Sequence, residues 1–173
     1  MKKALVLFFA FFAFNSVSYA LLIEPYVGAE SGTTKYSDGT LAGSQYGLRL
    51  AYEAPVFFWG GLDLTSANVT SKPTAGGEVE YKKSTVYGVL GVNFPILIRA
   101  WLAYGFYNEL KANEADLTYK GSATKVGLGF KVFPMVSLNL EYLTEKYSEL
   151  NGSAISSSQP QNDGYIVSLS IPW

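Results

Sequence analysis

The last nine residues, 165–173, read Tyr-Ile-Val-Ser-Leu-Ser-Ile-Pro-Trp. Every second position in this stretch is apolar, and the alternation begins and ends on an aromatic side chain. Alternation of this kind over about four to eight residues indicates a β-strand with one apolar face. The apolar positions are Tyr165, Val167, Leu169, Ile171 and Trp173. The stretch therefore predicts a strand whose two faces meet different surroundings.

The same period of two recurs upstream. Five segments show it clearly, at residues 45–53, 58–65, 98–107, 125–132 and 136–145. Two further segments, 23–30 and 86–92, alternate less cleanly, and Val89 interrupts the second of them. Tilted strands of about 9–11 residues cross the hydrocarbon layer of a membrane, and these segments are long enough to do so.

Prolines divide the chain at nearly equal intervals. Pro55, Pro95 and Pro134 lie 40 and 39 residues apart, and Pro172 follows 38 residues later. Because proline lacks a backbone donor, it belongs in turns or at strand ends in β structure. The spacing predicts a hairpin repeat with short turns at the first three prolines.

Longer polar connections alternate with these turns. Clusters of Gly, Ser, Asn, Asp and Pro are typical of loops, and they occur at residues 31–40, 68–77, 108–116 and 151–163. Short turns at one end and long loops at the other are typical of an outer-membrane barrel, with the turns in the periplasm. The fold class predicted is all-β, an eight-stranded antiparallel up-and-down transmembrane β-barrel.

The amino-terminal residues predict an export signal. Lys2 and Lys3 precede the apolar run 4–14, and Ser18-Tyr19-Ala20 then supplies small residues at a cleavage site. This order is typical of a secretory signal peptide, and the run is shorter than the roughly 20 residues of a membrane anchor. We expect cleavage after Ala20, which leaves one domain at residues 21–173.

Alternation does not tell which face of the barrel is outside. A soluble periplasmic barrel would turn its apolar face inward around a ligand, whereas a membrane barrel turns that face toward lipid. Here the other face mixes Gly, Ser and Ala with charges, which suits a narrow lumen. Aromatic residues near the segment ends suit interfacial girdles. These features favour the membrane barrel, and a soluble periplasmic ligand-binding barrel is the alternative.

The aromatic ending of the chain resembles the terminal-strand signal of bacterial outer-membrane proteins. Together with the eight-strand rhythm, it makes residues 21–173 similar to the small OmpA/OmpX/OmpW-like β-barrel proteins. The resemblance implies a location in the bacterial outer membrane, in contact with its lipid. It also implies that periplasmic chaperones and the barrel assembly machinery are partners. The assembly signal would be Tyr165, Val167, Leu169, Ile171 and Trp173.

The polar face carries charges that the barrel would turn inward. The predicted lumen charge network consists of Glu24, Arg49, Glu53, Asp63, Arg99, Lys125, Lys131, Glu141 and Glu145. Charges withdrawn from water need partners, because an unpaired buried charge costs several kcal/mol. The interior of an eight-stranded barrel is only just wide enough for side chains to fill. The network therefore predicts a plug, with a gated polar path for small solutes as the alternative.

The composition limits the chemistry. The chain contains no cysteine and no histidine, so it lacks thiolate chemistry, the usual general base of outer-membrane hydrolases and the usual ligands of a catalytic zinc ion. We predict no catalytic, metal or cofactor site. A formal net charge of −1 without a basic block also gives no reason to expect binding to nucleic acid.

These observations predict a non-enzymatic outer-membrane protein with a structural or surface-interaction role through its extracellular loops. The alternative is a narrow channel or transporter for small or apolar solutes. It is motivated by Trp59, Trp101, Tyr107 and Leu143, which the alternation places on the otherwise polar inner face. No loop motif identifies a surface ligand.

Overall fold

The computed structural model describes residues 20–35, 39–54, 57–74, 76–95, 97–113, 116–133, 135–155 and 161–173. The strands are β1 (Ala20–Thr34), β2 (Gly39–Glu53), β3 (Phe58–Lys72), β4 (Val79–Asn93), β5 (Ile98–Ala112), β6 (Thr118–Phe133), β7 (Val136–Leu150), β8 (Ser153–Ala154) and β9 (Gln161–Ser170). Within the described residues, no helix is long and apolar enough to cross a membrane.

Eight long strands, β1–β7 and β9, close into an antiparallel up-and-down barrel. Each pairs with its neighbours in chain order, β7 pairs with β9, and β9 pairs with β1 to close the ring. The two-residue β8 pairs only with the end of β7. Beyond β9, Trp173 and Ile23 exchange two backbone hydrogen bonds of 3.0 and 3.1 Å. The predicted eight-stranded fold is confirmed.

The strands run further than the sequence indicates. β1 continues to Thr34 and β2 begins at Gly39, so most of the predicted loop 31–40 is strand. The same correction applies to 68–72, 108–112 and 161–163. These segments are polar because they extend past the apolar part of the barrel, yet their backbone groups still pair in the ladder. Composition could not distinguish a polar strand from a loop.

The short connections lie at the opposite end of the barrel, which we call the turn end. Pro95 lies in the turn between β4 and β5, whereas Pro55 and Pro134 fall outside the described residues. Phe57 and Leu97, each just before a strand, have positive φ angles of 60° and 63°. Bulky residues rarely adopt this conformation, so its recurrence shows two turns built alike. We call the other end, with the longer connections, the loop end.

A β-bulge in β5 changes the direction of the side chains that follow. Val86 pairs with Tyr107, whereas Tyr87 pairs with Gly105. The extra residue leaves Phe106 and Tyr107 both exposed on the outer face and turns Asn108 into the lumen. The prediction that Tyr107 faces inward was therefore wrong, because a bulge shifts the alternation by one position.

The outer face is an apolar belt bordered by two aromatic rings. Leu, Val and Ile side chains of all the long strands are exposed between the rings, including Val167, Leu169 and Ile171 of the final stretch. The ring toward the loop end consists of Tyr46, Tyr104, Phe106, Tyr107, Tyr142 and Tyr165. The ring toward the turn end consists of Tyr52, Phe57, Phe58, Phe94, Phe133 and Trp173. This pattern is the one expected of a lipid-facing surface.

Candidate functional site

The middle of the lumen contains a cluster of charged side chains, which we call the central layer. Three carboxylates and three cations form it, and each comes from a different strand and is at most 4% exposed. Its members are Glu24, Arg49, Asp63, Arg99, Lys125 and Glu141. The formal charges of the central layer therefore cancel.

Arg49 joins the three carboxylates of the central layer. Its Nη1 donates to Glu24 Oε2 at 3.1 Å, and its Nη2 lies 3.4 Å from both Asp63 Oδ2 and Glu141 Oε1. The guanidinium carbon also lies 4.6 Å from the ring centroid of Trp101, within cation–π range. Removing Arg49 would thus leave three buried carboxylates short of a partner.

Arg99 and Lys125 complete the central layer. Arg99 binds Glu24 with both terminal nitrogens, one of them at 2.8 Å from Oε2. Lys125 Nζ lies 2.8 Å from Asp63 Oδ2 and 3.6 Å from Glu141 Oε1. Bidentate arginine–carboxylate pairs are the stronger, geometrically specific kind of ion pair. The layer is thus a connected network and not a set of isolated pairs.

Two aromatic side chains add neutral donors to the same carboxylates. Trp101 Nε1 donates to Glu141 Oε1 at 2.9 Å, and the Tyr26 hydroxyl donates to Asp63 Oδ1 at 2.7 Å. These two rings and that of Trp59 each lie against a cross-strand glycine, and a Cβ at that glycine would collide with the ring. The pairs are Trp101 with Gly127, Tyr26 with Gly47, and Trp59 with Gly91. The lumen glycines therefore provide the room in which the aromatic rings fill the barrel.

A second charged cluster, the upper layer, lies closer to the loop end. Lys83 Nζ lies 2.6 Å from both carboxylate oxygens of Glu30 and 3.2 Å from Glu145 Oε1. Two buried carboxylates here face one buried ammonium. Asn162 Nδ2 donates to Glu145 Oε2 at 3.3 Å. The upper layer thus carries one formal negative charge in excess, unlike the central layer.

Several buried polar atoms of the upper layer have no hydrogen-bond partner among the described residues. They are Gln45 Nε2, Asn108 Nδ2 and the Tyr147 hydroxyl, whereas Glu145 Oε1 is ion-paired with Lys83. The central layer contains such atoms too, namely Arg49 Nε, Arg99 Nε and Glu141 Oε2. Apolar side chains fill the lumen beside Lys83 and further toward the loop end, and Tyr81 and Tyr119 pack against this cover. The cover consists of Leu41, Ala67, Val69, Leu110 and Tyr147. Charged and apolar side chains therefore fill the described lumen from the central layer toward the loop end.

Three of the predicted lumen residues lie apart from the central layer. Glu145 belongs to the upper layer, and Glu53 is half-buried near the turn end, where it accepts a hydrogen bond of 3.0 Å from Asn93. Lys131 is exposed near the turn end, and its placement in the buried network is corrected. Strand ends project beyond the packed lumen, so the inward parity of Lys131 does not bury it.

Sequence reasoning missed Lys83, the cation of the upper layer. Lys83, Thr85, Tyr87 and Val89 all face the lumen, whereas Val86 faces out. Both faces of β4 carry apolar residues at this level, so the alternation could not tell them apart. Trp59, Trp101 and Leu143 were assigned to the inner face, and all three are buried there.

The described residues contain no group of three or more acidic, histidine or cysteine side chains placed to hold a metal ion. No protein-family model matches the sequence, and the curated proteins contain no match to it. Similarity is found among solved structures. Neisserial surface protein A superimposes with a TM-score of 0.56 and 11% identity, over 90% of this chain and 99% of that one.

A second solved structure agrees with the first. Ail, the attachment invasion locus protein of Yersinia pestis, gives a TM-score of 0.59 and 13% identity, over 88% of this chain and 99% of that one. This chain has the fold of the small eight-stranded outer-membrane β-barrels. An apolar belt between two aromatic rings is the surface that an outer-membrane barrel presents to lipid. The barrel lies in the bacterial outer membrane, in contact with its lipid.

Proposed function

We propose that the protein is a non-enzymatic outer-membrane barrel that acts as a structural element and through its loop end as an interaction surface. The observation that carries the proposal is the filled lumen. Buried ion pairs of the central layer, the Lys83 cluster and the apolar cover fill the lumen from its middle toward the loop end. Such packing supports a rigid plug and argues against a path for solutes.

The loop end supports the second half of the proposal. The strands continue past the aromatic ring into polar segments, so this end offers an ordered polar wall in addition to its connections. Exposed ion pairs such as Lys35–Asp163 at 2.6 Å and Lys72–Glu78 at 2.6 Å lie on it. Ail, which shares the fold, was crystallised with a heparin analogue. Its example supports an interaction role for a barrel of this kind.

Conductance separates the proposal from the channel alternative. We expect the purified barrel, reconstituted in a planar bilayer, to show no discrete current steps in monovalent salt, because the central layer closes the lumen. Arg49→Ala is the matched positive control, since it removes the side chain that bridges three carboxylates. Steady conductance by the unaltered protein would support the channel and overturn the plug.

Binding to surfaces tests the interaction role. Cells that display the barrel should adhere to immobilised polyanionic or host-matrix glycans differently from cells in which residues 155–160 are replaced by a Gly-Ser linker. The strands on either side, β7 and β9, remain intact in this variant. Equal adhesion to every surface, with both proteins folded and displayed, would contradict a role for this connection.

We also propose that residues 1–20 form a cleaved signal and that the final stretch directs assembly. Residues 1–19 lie outside the described part, while Ala20 is the first residue of β1. Tyr165, Val167 and Trp173 expose alternate side chains, and the final stretch closes the barrel against β1. Mass spectrometry of the exported protein should give an N-terminus at Leu21. Trp173→Ser should reduce outer-membrane insertion without impairing refolding in detergent.

A further inference from the structure

The aromatic ring toward the loop end has a gap on β3 and β4. At the level where Tyr46 projects from β2, the cross-strand partners are Ser66 and then Ser84. One level toward the turn end, the partners in register are Leu48, Leu64, Val86 and Tyr107. Because small serines stand where aromatic rings would otherwise project, the outer face has a groove of about 360 Å³ here. Its floor is apolar, and Tyr46 and Tyr107 form its walls.

Two lysines stand directly above this groove. Lys82 on β4 and Lys111 on β5 are exposed and directly opposite one another, and Asn68 on β3 is the other cross-strand partner of Lys82. Like charges directly opposite in an antiparallel pair are destabilising. Neither lysine forms an ion pair with any described residue. The carboxylate below them, Glu109, is engaged by the Tyr107 hydroxyl at 3.1 Å and lies 3.9 Å from Lys120.

A neighbouring groove shows the opposite arrangement. It measures about 350 Å³ and lies across β5, β6 and β7 on the other side of the bulge. Its cation, Lys120, stands in register between Glu109 and Glu149, so its charge is already compensated. Of these two grooves, the one below Lys82 and Lys111 therefore combines an apolar slot with two lysines that form no ion pair with a described residue.

We propose that this groove binds one lipid with a net anionic phosphate headgroup, in the leaflet at the loop end. An acyl chain lies along Leu48, Leu64 and Val86 between the two tyrosines. The phosphate lies between Lys82 and Lys111 and within reach of the hydroxyls of Ser66 and Ser84, which border the acyl slot at the interface. An anionic group at this position relieves the repulsion between the lysines, and the apolar floor selects a lipid over a free anion.

Native mass spectrometry of the detergent-solubilised barrel tests the site. The probes are phosphatidic acid, phosphatidylcholine with the same acyl chains, and inorganic phosphate. We expect a one-to-one adduct with phosphatidic acid and at least fivefold weaker binding of phosphatidylcholine. Each lysine near an anionic headgroup contributes about fivefold in affinity. The double variant K82Q/K111Q should therefore bind phosphatidic acid about 25-fold more weakly.

Two control variants separate this site from general attraction. Lys146 also projects outward from the polar part of its strand, four residues beyond Tyr142, but its cross-strand partners are Ser122 and Gln161. K146Q should leave binding unchanged within twofold, whereas S66L/S84L should fill the groove and abolish the adduct while all lysines remain. Equal losses in K146Q and K82Q/K111Q, unchanged binding in K82Q/K111Q, or displacement of the lipid by inorganic phosphate would each overturn the proposal.

Discussion

The central and upper layers of the lumen both consist of buried carboxylates and cations but differ in charge balance. In the central layer three cations meet three carboxylates, and Arg49 alone contacts all three carboxylates. In the upper layer Lys83 is shared between Glu30 and Glu145, and several neighbouring polar atoms have no partner among the described residues. The central layer also contains buried atoms without a hydrogen-bond partner among the described residues, Arg49 Nε, Arg99 Nε and Glu141 Oε2, so the two layers differ in charge balance and not in the completeness of their hydrogen bonds.

The two layers therefore differ in what their buried charge costs the stability of the barrel. In the middle of a membrane barrel an uncompensated charge is costly, and the equal numbers of cations and carboxylates in the central layer avoid that cost. In the upper layer the excess negative charge is buried beside the apolar cover, so it carries a cost that the central layer avoids. We therefore expect substitutions of equivalent chemistry in the two layers to have different effects on stability.

Loss of Arg49 should have the largest effect. Arg49→Ala removes the cation shared by Glu24, Asp63 and Glu141, and breaking a buried pair from one side costs about 3–5 kcal/mol. Arg99→Ala should be similarly damaging, because Glu24 loses its bidentate partner. The measurement is the urea midpoint of the refolded barrel in detergent, together with its heat-dependent gel shift. Lys146→Ala, an exposed control, should change stability by less than about 0.5 kcal/mol.

A pair of isosteric substitutions on β7 tests the comparison most directly. The Glu141 carboxylate accepts hydrogen bonds from Arg49 and Trp101 and is ion-paired with Lys125. Glu141→Gln should therefore cost about 1–3 kcal/mol. Glu145→Gln removes the excess negative charge, while Glu30 keeps Lys83 paired. We expect this variant to be as stable as the unaltered protein or more stable by up to about 1 kcal/mol. Equal losses in the two variants would show that the layers do not differ in charge balance.

The smallest effect concerns the polar wall at the loop end, outside the apolar belt. Partial burial raises the pKa of Asp163, but hydrogen bonds from Lys35 and Gln161 outweigh it and hold this pKa below its usual range. A lowered pKa contributes stability that is present above the unfolded pKa, near 4, and lost as pH falls through the folded value. Lys35→Gln should therefore cost less than about 1 kcal/mol at pH 7, and this cost should shrink as the pH falls to 2. Urea midpoints at the two pH values check this, and an equal difference at both would contradict it.

Much of this architecture was predictable because alternate residues of a strand in a membrane barrel face lipid and lumen, so the alternation indicates which way each side chain points. The faces of β2, β3, β6, β7 and β9 follow the alternation, and six of the nine predicted lumen charges form the central layer. The pairing partners were not predictable. Arg49 and Glu141 are separated by 92 positions, and only the closed ring brings them together.

The errors have local physical causes. Tyr107 faces out because the bulge adds one residue to β5, and nothing in the alternation of that segment marks the insertion. The predicted loops are too long because polar residues beyond the belt remain in the ladder. Lys131 was assigned by parity alone, which gives the direction of a side chain but not its depth along the axis.

Each residue of the central layer comes from a different strand, and this affects the rate at which the barrel inserts and closes. Its closest opposite charges along the chain are Arg49 and Asp63, 14 positions apart, whereas Arg99 and Glu24 are 75 apart. A sheet that entered the hydrocarbon before closing would present unmatched arginine and glutamate side chains to lipid, which is costly. Partly inserted hairpins are therefore not stable intermediates in the membrane. Entry into the bilayer and closure of the ring must accompany one another in a single, slow, concerted event.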